Sequence, residues 1–311
     1  MTMKTFPSLP KSVEIVEVCP RDGFQSVKEY IPTETKIAII DELAGTGIKT
    51  MEVTSFVSPK AIPQMADAAE VMAAFRAKWK GRVTSVALIP NLRGAEGALA
   101  AEADWMNFVV SASEDHNMAN TKRTVEESLA EMEKVTGLRG STKLRVSVAT
   151  AFACPFAGPV DPGKVLRVVD RALEAGADGI TLADTIGTAD PKYLAATLSV
   201  IREKYGDYPF TLHLHDTYGM ALANMLTALG MGFASFDAAA GGLGGCPFAP
   251  GAAGNAATED MVNMAEQMGV ETGIDLVKVL AAVRKMQSAY GLKIASHLAA
   301  TKKGLEENCP S

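Results

Sequence analysis

Amphipathic helical stretches alternate along the chain with short runs of β-branched and aromatic residues. Val165, Val168 and Val169 recur at helical spacing, and a glycine-containing segment then leads into the run Gly179–Leu182. Glycine just past a helix is a frequent left-handed cap, and such β-branched runs favour strands. The predicted strands are Glu14–Cys19, Lys49–Thr54, Thr84–Ile89, Met106–Ser111, Leu144–Thr150, Gly179–Leu182, Phe210–Leu214 and Ser235–Ala239.

Eight strands that alternate with helices predict a parallel (β/α)8 barrel of the TIM type, in the α/β class. We expect residues 1–311 to form one catalytic domain. The barrel would occupy about residues 13–255, with C-terminal helices over about 256–304 packed against it. An open doubly wound sheet is the alternative, but no GxGxxG motif follows the first predicted strand.

Composition narrows the class of protein further. Of the 311 residues, 48% are hydrophobic and 21% are charged, which is typical of a globular enzyme. The net charge is −6 and basic residues are not clustered, so nucleic acid is not an expected partner. Neither a membrane-spanning run nor a secretory signal is recognisable. The four cysteines are widely spaced, which argues against a disulfide framework and suits a cytoplasmic location.

Polar and charged residues follow several of the predicted strands. In such a barrel the reactive groups stand where strands end and βα loops begin, so these side chains should converge on one rim. They are Arg21, Asp22, Glu52, Asp184, His213, His215, Asp216 and Asn255.

The spacing of His213 and His215 is the most informative of these signals. Side chains alternate along a strand, so residues two apart point to the same side. One interpretation is a pair of metal ligands, and the other is a pair of hydrogen-bonded core histidines. Carboxylates at neighbouring strand ends favour the ligand interpretation. Two imidazoles with Asp22 and the Asn255 amide oxygen would suit Mg2+ or Mn2+, with Zn2+ and Co2+ as alternatives.

Arg21 and the segment Gly241–Cys246 each admit more than one interpretation. Arg21 could stabilise negative charge that develops on an oxygen, or form a structural salt bridge with Glu52 or Asp184. The glycine-rich segment could be a phosphate cradle, a mobile lid carrying Cys246, or a tight turn with a buried cysteine. His116 and His297 have no partner at a useful spacing, so they are expected to be satisfied or solvated.

Five segments, which run over nearly the whole chain, together form a recognisable pattern. They are Val18–Gln25 (VCPRDGFQ), Glu52–Pro59 (EVTSFVSP), Leu182–Gly187 (LADTIG), His213–Gly219 (HLHDTYG) and Gly241–Asn255 (GGLGGCPFAPGAAGN). In these segments the chain resembles the 3-hydroxy-3-methylglutaryl-CoA (HMG-CoA) lyase family of metal-dependent barrels.

The resemblance implies roles for individual residues. Asp22, His213, His215 and Asn255 would bind the metal, and Arg21 would stabilise the enolate of the departing acetyl-CoA. Cys246 would take part in proton transfer, and His213 could act as a proton shuttle as well as a ligand. Glu52 and Asp184 would orient water, ligands or substrate. Gln25 and Glu259 match supporting positions, and Lys28 matches a family lysine.

The implied reaction is the retro-Claisen cleavage of (S)-3-hydroxy-3-methylglutaryl-CoA to acetoacetate and acetyl-CoA. An acyl-CoA partner and a homo-oligomer, dimer or tetramer, are expected, and Lys60, Arg93, Lys122 and Arg123 are candidates for the CoA site. The loop Asp115–Asn117 departs from the family pattern. A same-mechanism lyase acting on citramalyl-CoA or a longer 3-hydroxyglutaryl-CoA is therefore the alternative, and a non-catalytic metal-binding barrel is a remote one.

Overall fold

The computed structural model describes residues 8–245 and 254–301. Within these ranges eight parallel strands hydrogen bond side by side into a closed barrel, which confirms the predicted fold. They are β1 (Glu14–Glu17), β2 (Thr50–Ser55), β3 (Thr84–Ile89), β4 (Trp105–Ser111), β5 (Lys143–Ala149), β6 (Gly179–Asp184), β7 (Thr211–Leu214) and β8 (Ser235–Ala238). Each lies where a strand was predicted.

Helices connect the strands and cover the barrel. They are α1 (Thr33–Ala44), α2 (Ala68–Trp79), α3 (Leu92–Ala100), α4 (Glu114–Thr121), α5 (Val125–Leu138), α6 (Pro162–Glu174), α7 (Pro191–Tyr205), α8 (Ala221–Gly230), α9 (Thr258–Gln267) and α10 (Leu276–Ser288). Pro191 opens α7, and the Asp190 carboxylate caps it by accepting from the amide of Tyr193. The helix α9 follows β8, and α10 packs against both α9 and α1.

Strand pairing determines which side chains face the barrel interior. His213 of β7 pairs with Ala183 of β6 and with Asp237 of β8. Paired residues on neighbouring strands project to the same side of a sheet. The hydrogen bonds between His213 and Asp237 and between Asn107 and Glu52 lie on this interior side. The interior of the barrel is therefore partly polar, beneath the rim where the strands end.

The first strand is shorter than predicted. It ends at Glu17, and Cys19–Gly23 form a π-helical turn instead of continuing the strand. The amides of Arg21 and Asp22 both donate to the carbonyl of Val18, at 3.2 and 2.8 Å, while Pro20 has no N–H to donate. This turn brings Arg21 and Asp22 back over the end of the barrel.

The region after α10 also differs from the expectation. Residues 289–301, which the sequence pattern assigned to helix, form turns and irregular backbone. The carboxylate of Asp260 holds this segment by accepting from the Ser296 hydroxyl and from the amides of His297 and Leu298. The amide of Ala295 donates to the carbonyl of Gly241 at 2.8 Å. The segment is thereby fastened to the beginning of the glycine-rich loop.

Two further observations complete the fold. A two-stranded hairpin, Ala153–Cys154 with Gly158–Pro159, follows β5 and was not predicted. Among the residues that the structure describes, helices of the length and apolarity required to cross a bilayer are absent.

Candidate metal centre and active site

Three ligand-type side chains meet at the carboxyl end of the barrel. Asp22, His213 and His215 each place a ligand atom within 4.8 Å of the others. The Nε2 atoms of His213 and His215 are 3.1 Å apart. Asp22 reaches them from the π-helical turn after β1, and the two histidines come from the end of β7. Residues almost two hundred positions apart in sequence are thus brought to one point.

Asn255 is placed beside this cluster by its backbone. It forms an isolated bridge with His215, and the amide of Asp216 donates to the carbonyl of Gly254 at 2.7 Å. The Nδ2 atom of Asn255 donates to Asp22 Oδ2 at 2.7 Å and to the Leu243 carbonyl at 2.9 Å. Its Oδ1 atom is buried, and in the described part of the chain it has no hydrogen-bond partner.

The electrostatics favour the metal-binding protonation states of Asp22 and His215, whereas at His213 burial lowers the pKa but the hydrogen bond and charge of Asp237 raise it overall. Burial, followed by the charge of His213, lowers the pKa of His215 to about 3, so its imidazole is neutral. Burial alone would raise the pKa of Asp22, but Arg21 and the two histidines lower it to about 2. Metal ligation requires neutral imidazoles and ionised carboxylates. Asp22 and His215 therefore hold these forms around neutral pH.

The donor set fits a divalent cation. Two cis donors around an octahedral ion at about 2.1 Å lie about 3 Å apart, close to the 3.1 Å between the two Nε2 atoms. The unpartnered oxygen of Asn255 is a further donor of the right type. Cys19 and Cys154 are buried and belong to the hydrophobic core. Nitrogen and oxygen donors, with no thiolate in the described cluster, suit a divalent cation.

Arg21 is held by two carboxylates. Its Nε and Nη2 atoms each lie 2.5 Å from Glu52 Oε2, and Nη1 is hydrogen bonded to Asp22. The other Glu52 oxygen accepts from Asn107 Nδ2 at 2.7 Å, and the Ser147 hydroxyl donates to Asn107 Oδ1 at 2.8 Å. The predicted salt bridge with Glu52 is present, and the alternative partner Asp184 is bonded elsewhere. This network fixes the guanidinium next to the candidate metal ligands.

Asp184 lies at the end of β6 and is fully buried. Its Oδ2 atom accepts from the amide of Ala189 at 3.1 Å. Burial raises its pKa to about 6, although backbone hydrogen bonds and the charge of His213 oppose that shift. Its observed contacts shape the loop after β6, and a direct catalytic role stays a prediction.

Two buried glutamates lie beneath the glycine-rich loop. Glu17 accepts from the amides of Cys19 and Ala240, at 2.8 and 3.0 Å, and from the hydroxyl of Thr258. Glu259 accepts from the amide of Gly241 at 3.0 Å. Together they hold the backbone at Ala240 and Gly241, where the loop leaves the barrel. Glu259 was a predicted supporting residue, whereas Glu17 was missed, although a glutamate inside the apolar run of β1 was a visible signal.

These glutamates make stability depend on pH. Burial raises the pKa of each from 4.5 to about 7. Between those values the folded state keeps protons that the unfolded chain releases, so the contribution of these two groups to stability is greatest below pH 4.5 and falls as pH rises to about 7. We expect Glu17→Gln to reduce this fall by about 3 kcal/mol. Urea unfolding at a series of pH values measures it, and an unchanged pH slope contradicts the assignment.

The remaining predicted residues lie outside the candidate metal cluster or outside the described ranges. Gln25 and Lys28 line a shallow cavity with Tyr30 and Gln64. The candidates for CoA, Lys60 and Arg93, are exposed. Lys122 Nζ donates to the carbonyl of Ala119 in α4, and Arg123 Nη1 donates to the carbonyl of Pro90, just before α3. Cys246 lies outside the described residues, as does Cys309.

The two other histidines behave as expected. His116 is buried, and its Nδ1 atom lies 2.6 Å from the Ser111 hydroxyl. His297 has a side chain that is 75% exposed, 3.6 Å from the carboxylate of Asp216. Neither belongs to the candidate metal cluster. The altered loop Asp115–Asn117 forms the first turn of α4.

The fold and the site define a (β/α)8-barrel enzyme with a candidate divalent-metal centre. A family model described as HMGL-like matches residues 12–286, and the chain belongs to this family of carbon–carbon lyases. The chain is 42% identical to a hydroxymethylglutaryl-CoA lyase of Bacillus subtilis over 289 residues, which is 92% of this chain and 96% of that protein.

Two further relatives support the same family assignment. The chain is 44% identical to the cytoplasmic 3-hydroxy-3-methylglutaryl-CoA lyase of Mus musculus over 278 residues, covering 89% of this chain and 80% of that protein. It also resembles the structure of an HMG-CoA lyase from Acinetobacter baumannii in complex with coenzyme A and 3-methylmalate. That match has a TM-score of 0.90 and 40% identity, and covers 96% of this chain and 98% of the other.

Proposed function

We propose that this chain is a hydroxymethylglutaryl-CoA lyase that cleaves (S)-3-hydroxy-3-methylglutaryl-CoA to acetoacetate and acetyl-CoA. The observation that carries the proposal is the position of Arg21, held by Glu52 directly beside the cluster of Asp22, His213 and His215. The relatives named above act as such lyases, and they match this chain over most of its length. We further propose Mg2+ or Mn2+ as the ion.

Each of these residues would have its own role in a retro-Claisen cleavage. Asp22, His213, His215 and Asn255 would hold the divalent ion, which would lower the pKa of the tertiary 3-hydroxyl. When a general base accepts that proton, the C2–C3 bond can break, so that a ketone forms at C3 and the bonding electrons pass into the acetyl-CoA enolate. Arg21 stabilises the negative charge on the enolate oxygen. An acid then protonates C2, and Cys246 is the predicted participant in that step.

Product analysis tests the proposal. The purified protein, stripped of metal and resupplied with Mg2+ or Mn2+, is expected to release acetoacetate from HMG-CoA and to lose that activity when a chelator is added. Citramalyl-CoA is the comparison substrate, because the segment Asp115–Asn117, at the start of α4, departs from the family pattern. Cleavage of citramalyl-CoA without cleavage of HMG-CoA would replace the proposed substrate but keep the mechanism. If the protein cleaves neither HMG-CoA nor citramalyl-CoA, the proposed function is wrong.

Three accompanying expectations stay predictions. They are an acyl-CoA site near the rim of the barrel, a homo-oligomeric assembly and a cytoplasmic location. Size-exclusion chromatography with light scattering measures the assembly directly.

A further inference from the structure

The side of His213 that faces away from the metal cluster has a carboxylate partner. Its Nδ1 atom lies 3.2 Å from Asp237 Oδ2, while its Nε2 atom faces His215. Asp237 is the residue on β8 that pairs in register with His213 on β7. Only 6% of its side chain is exposed. The contact is therefore built into the strand pairing and shielded from water.

The charge of Asp237 is balanced from the opposite side of the barrel. Arg145 reaches inward from β5, three strands away, and its Nη1 atom lies 3.5 Å from Asp237 Oδ1. The guanidinium carbon of Arg145 lies 5.9 Å from the centroid of the Trp105 ring. Arg145 is itself buried. A buried carboxylate with a buried cation beside it can stay ionised, because a paired charge in the interior costs far less than a lone one.

The two histidines of the candidate metal cluster differ in the partner of their Nδ1 atoms. The Nδ1 atom of His215 is buried, and within residues 8–245 and 254–301 it has no hydrogen-bond partner. An ionised carboxylate can only accept a hydrogen bond, so it requires the neighbouring ring nitrogen to carry the proton. His213 is thus constrained to one tautomer and one ring orientation through its Nδ1 atom, whereas the Nδ1 atom of His215 has no carboxylate partner among these residues.

We propose that Asp237, with its charge balanced by Arg145, is a positioning residue that holds His213 as the Nδ1–H tautomer with the Nε2 lone pair directed at the metal. This inference rests on the metal site of the proposed function. A carboxylate behind a metal-binding histidine typically changes metal affinity by about 10–100-fold. Asp237 does not touch the substrate, and it acts through His213.

The first experiment reads the tautomer without metal or substrate. In metal-free protein labelled with 15N histidine at pH 9, where imidazoles are neutral, His213 is expected to show only the Nδ1–H tautomer. In Asp237→Asn the side-chain amide can donate as well as accept, so a substantial fraction of the Nε2–H tautomer is expected. A wild-type mixture, or no change in the variant, would overturn the proposal.

The second experiment separates positioning from stability. Asp237→Asn leaves Arg145 buried without its carboxylate, which destabilises the fold. The double variant Asp237→Asn with Arg145→Gln removes both charges, so stability is expected to recover. The Kd for Mn2+ is expected to stay raised by about 10–100-fold in both variants. If the Kd recovers together with stability, the pair has only a structural role and the inference fails.

A matched control uses another buried ion pair. Asp67, at the start of α2, pairs with Lys36 of α1 at 2.9 Å, and neither residue belongs to the cluster, so Asp67→Asn should lower stability and leave the Kd for Mn2+ and the His213 tautomer unchanged. The outcome also separates the two proposals. If these variants behave as expected but HMG-CoA is not cleaved, the proposed substrate is wrong and the proposed role of Asp237 is still supported. If the wild-type protein binds no Mn2+, the role of Asp237 falls.

Discussion

Replacing Arg21 with methionine is expected to lower kcat for HMG-CoA cleavage by roughly 10^2–10^3-fold while metal binding persists. Removal of a single oriented donor that stabilises transition-state charge typically has an effect of this size. Arg21 is pre-oriented for that role because Glu52 accepts from its Nε and Nη2 atoms. Methionine fills a similar volume without a charge, so the enolate loses its counter-charge.

The same substitution also has a structural cost. It leaves the buried Glu52 with a hydrogen bond from Asn107 but without its guanidinium partner. Breaking a buried ion pair by removing one member destabilises a protein by about 3–5 kcal/mol. Activity is therefore measured at a temperature where circular dichroism shows a folded variant, and bound Mn2+ is counted in the same sample.

The control is an arginine whose ion pairs lie on the surface. Arg171 pairs with Glu126 and Glu133, and both of these glutamates are largely exposed. Arg171→Met is expected to have nearly normal kcat. If Arg21→Met keeps its Mn2+ and also turns over within about tenfold of the wild-type rate, the charge-stabilising role assigned to Arg21 is wrong.

Replacing His215 with alanine should abolish tight binding of the divalent ion. His215 is buried, neutral and 3.1 Å from the Nε2 atom of His213, so its loss removes a direct donor and leaves a cavity. We expect the Kd for Mn2+ to rise by more than the roughly 100-fold effect of losing an outer hydrogen-bond partner. Turnover should then fall to the metal-free level.

Calorimetric titration with Mn2+ measures that Kd, and thermal unfolding provides an independent reading. A ligand at 100 times its Kd stabilises the folded state by about 2.7 kcal/mol, so the metal-induced rise in Tm should vanish in His215→Ala. His297→Ala is the matched control, because that histidine is exposed and outside the cluster. Unchanged stoichiometry and affinity in His215→Ala would refute the ligand assignment.

Most of the fold follows from local sequence patterns. Apolar runs of β-branched residues alternate with helical periodicity eight times, and each predicted strand is present in the barrel. The failures have physical causes. β1 ends early because Arg21 and Asp22 donate to the Val18 carbonyl, which closes a turn that no periodicity reveals. Residues 289–301 have apolar positions that pack on the barrel without forming a helix.

The candidate site was predictable where residue type and strand position together suggest chemistry. His213 and His215 stand two apart on one strand, and Asp22 follows another strand, so the structure brings together the residues that the pattern singled out. Asp237 and Arg145 were missed, because their role depends on an ion pair that forms across the interior of the closed barrel. A charged residue inside an otherwise apolar strand was the signal that could have identified both.

The hydrogen bond between Asn255 and Asp22 joins residues 233 positions apart. It lies where the first and last strands of the barrel meet, β1 with β8. In a partly folded chain that has not yet joined its two ends, the complete set of metal donors does not exist. An earlier intermediate offers at most the local pair His213 and His215, so the ion stabilises the closed barrel more than any such intermediate. Metal uptake becomes a marker for the final step of folding, and loss of the ion should favour opening of the barrel at this seam first.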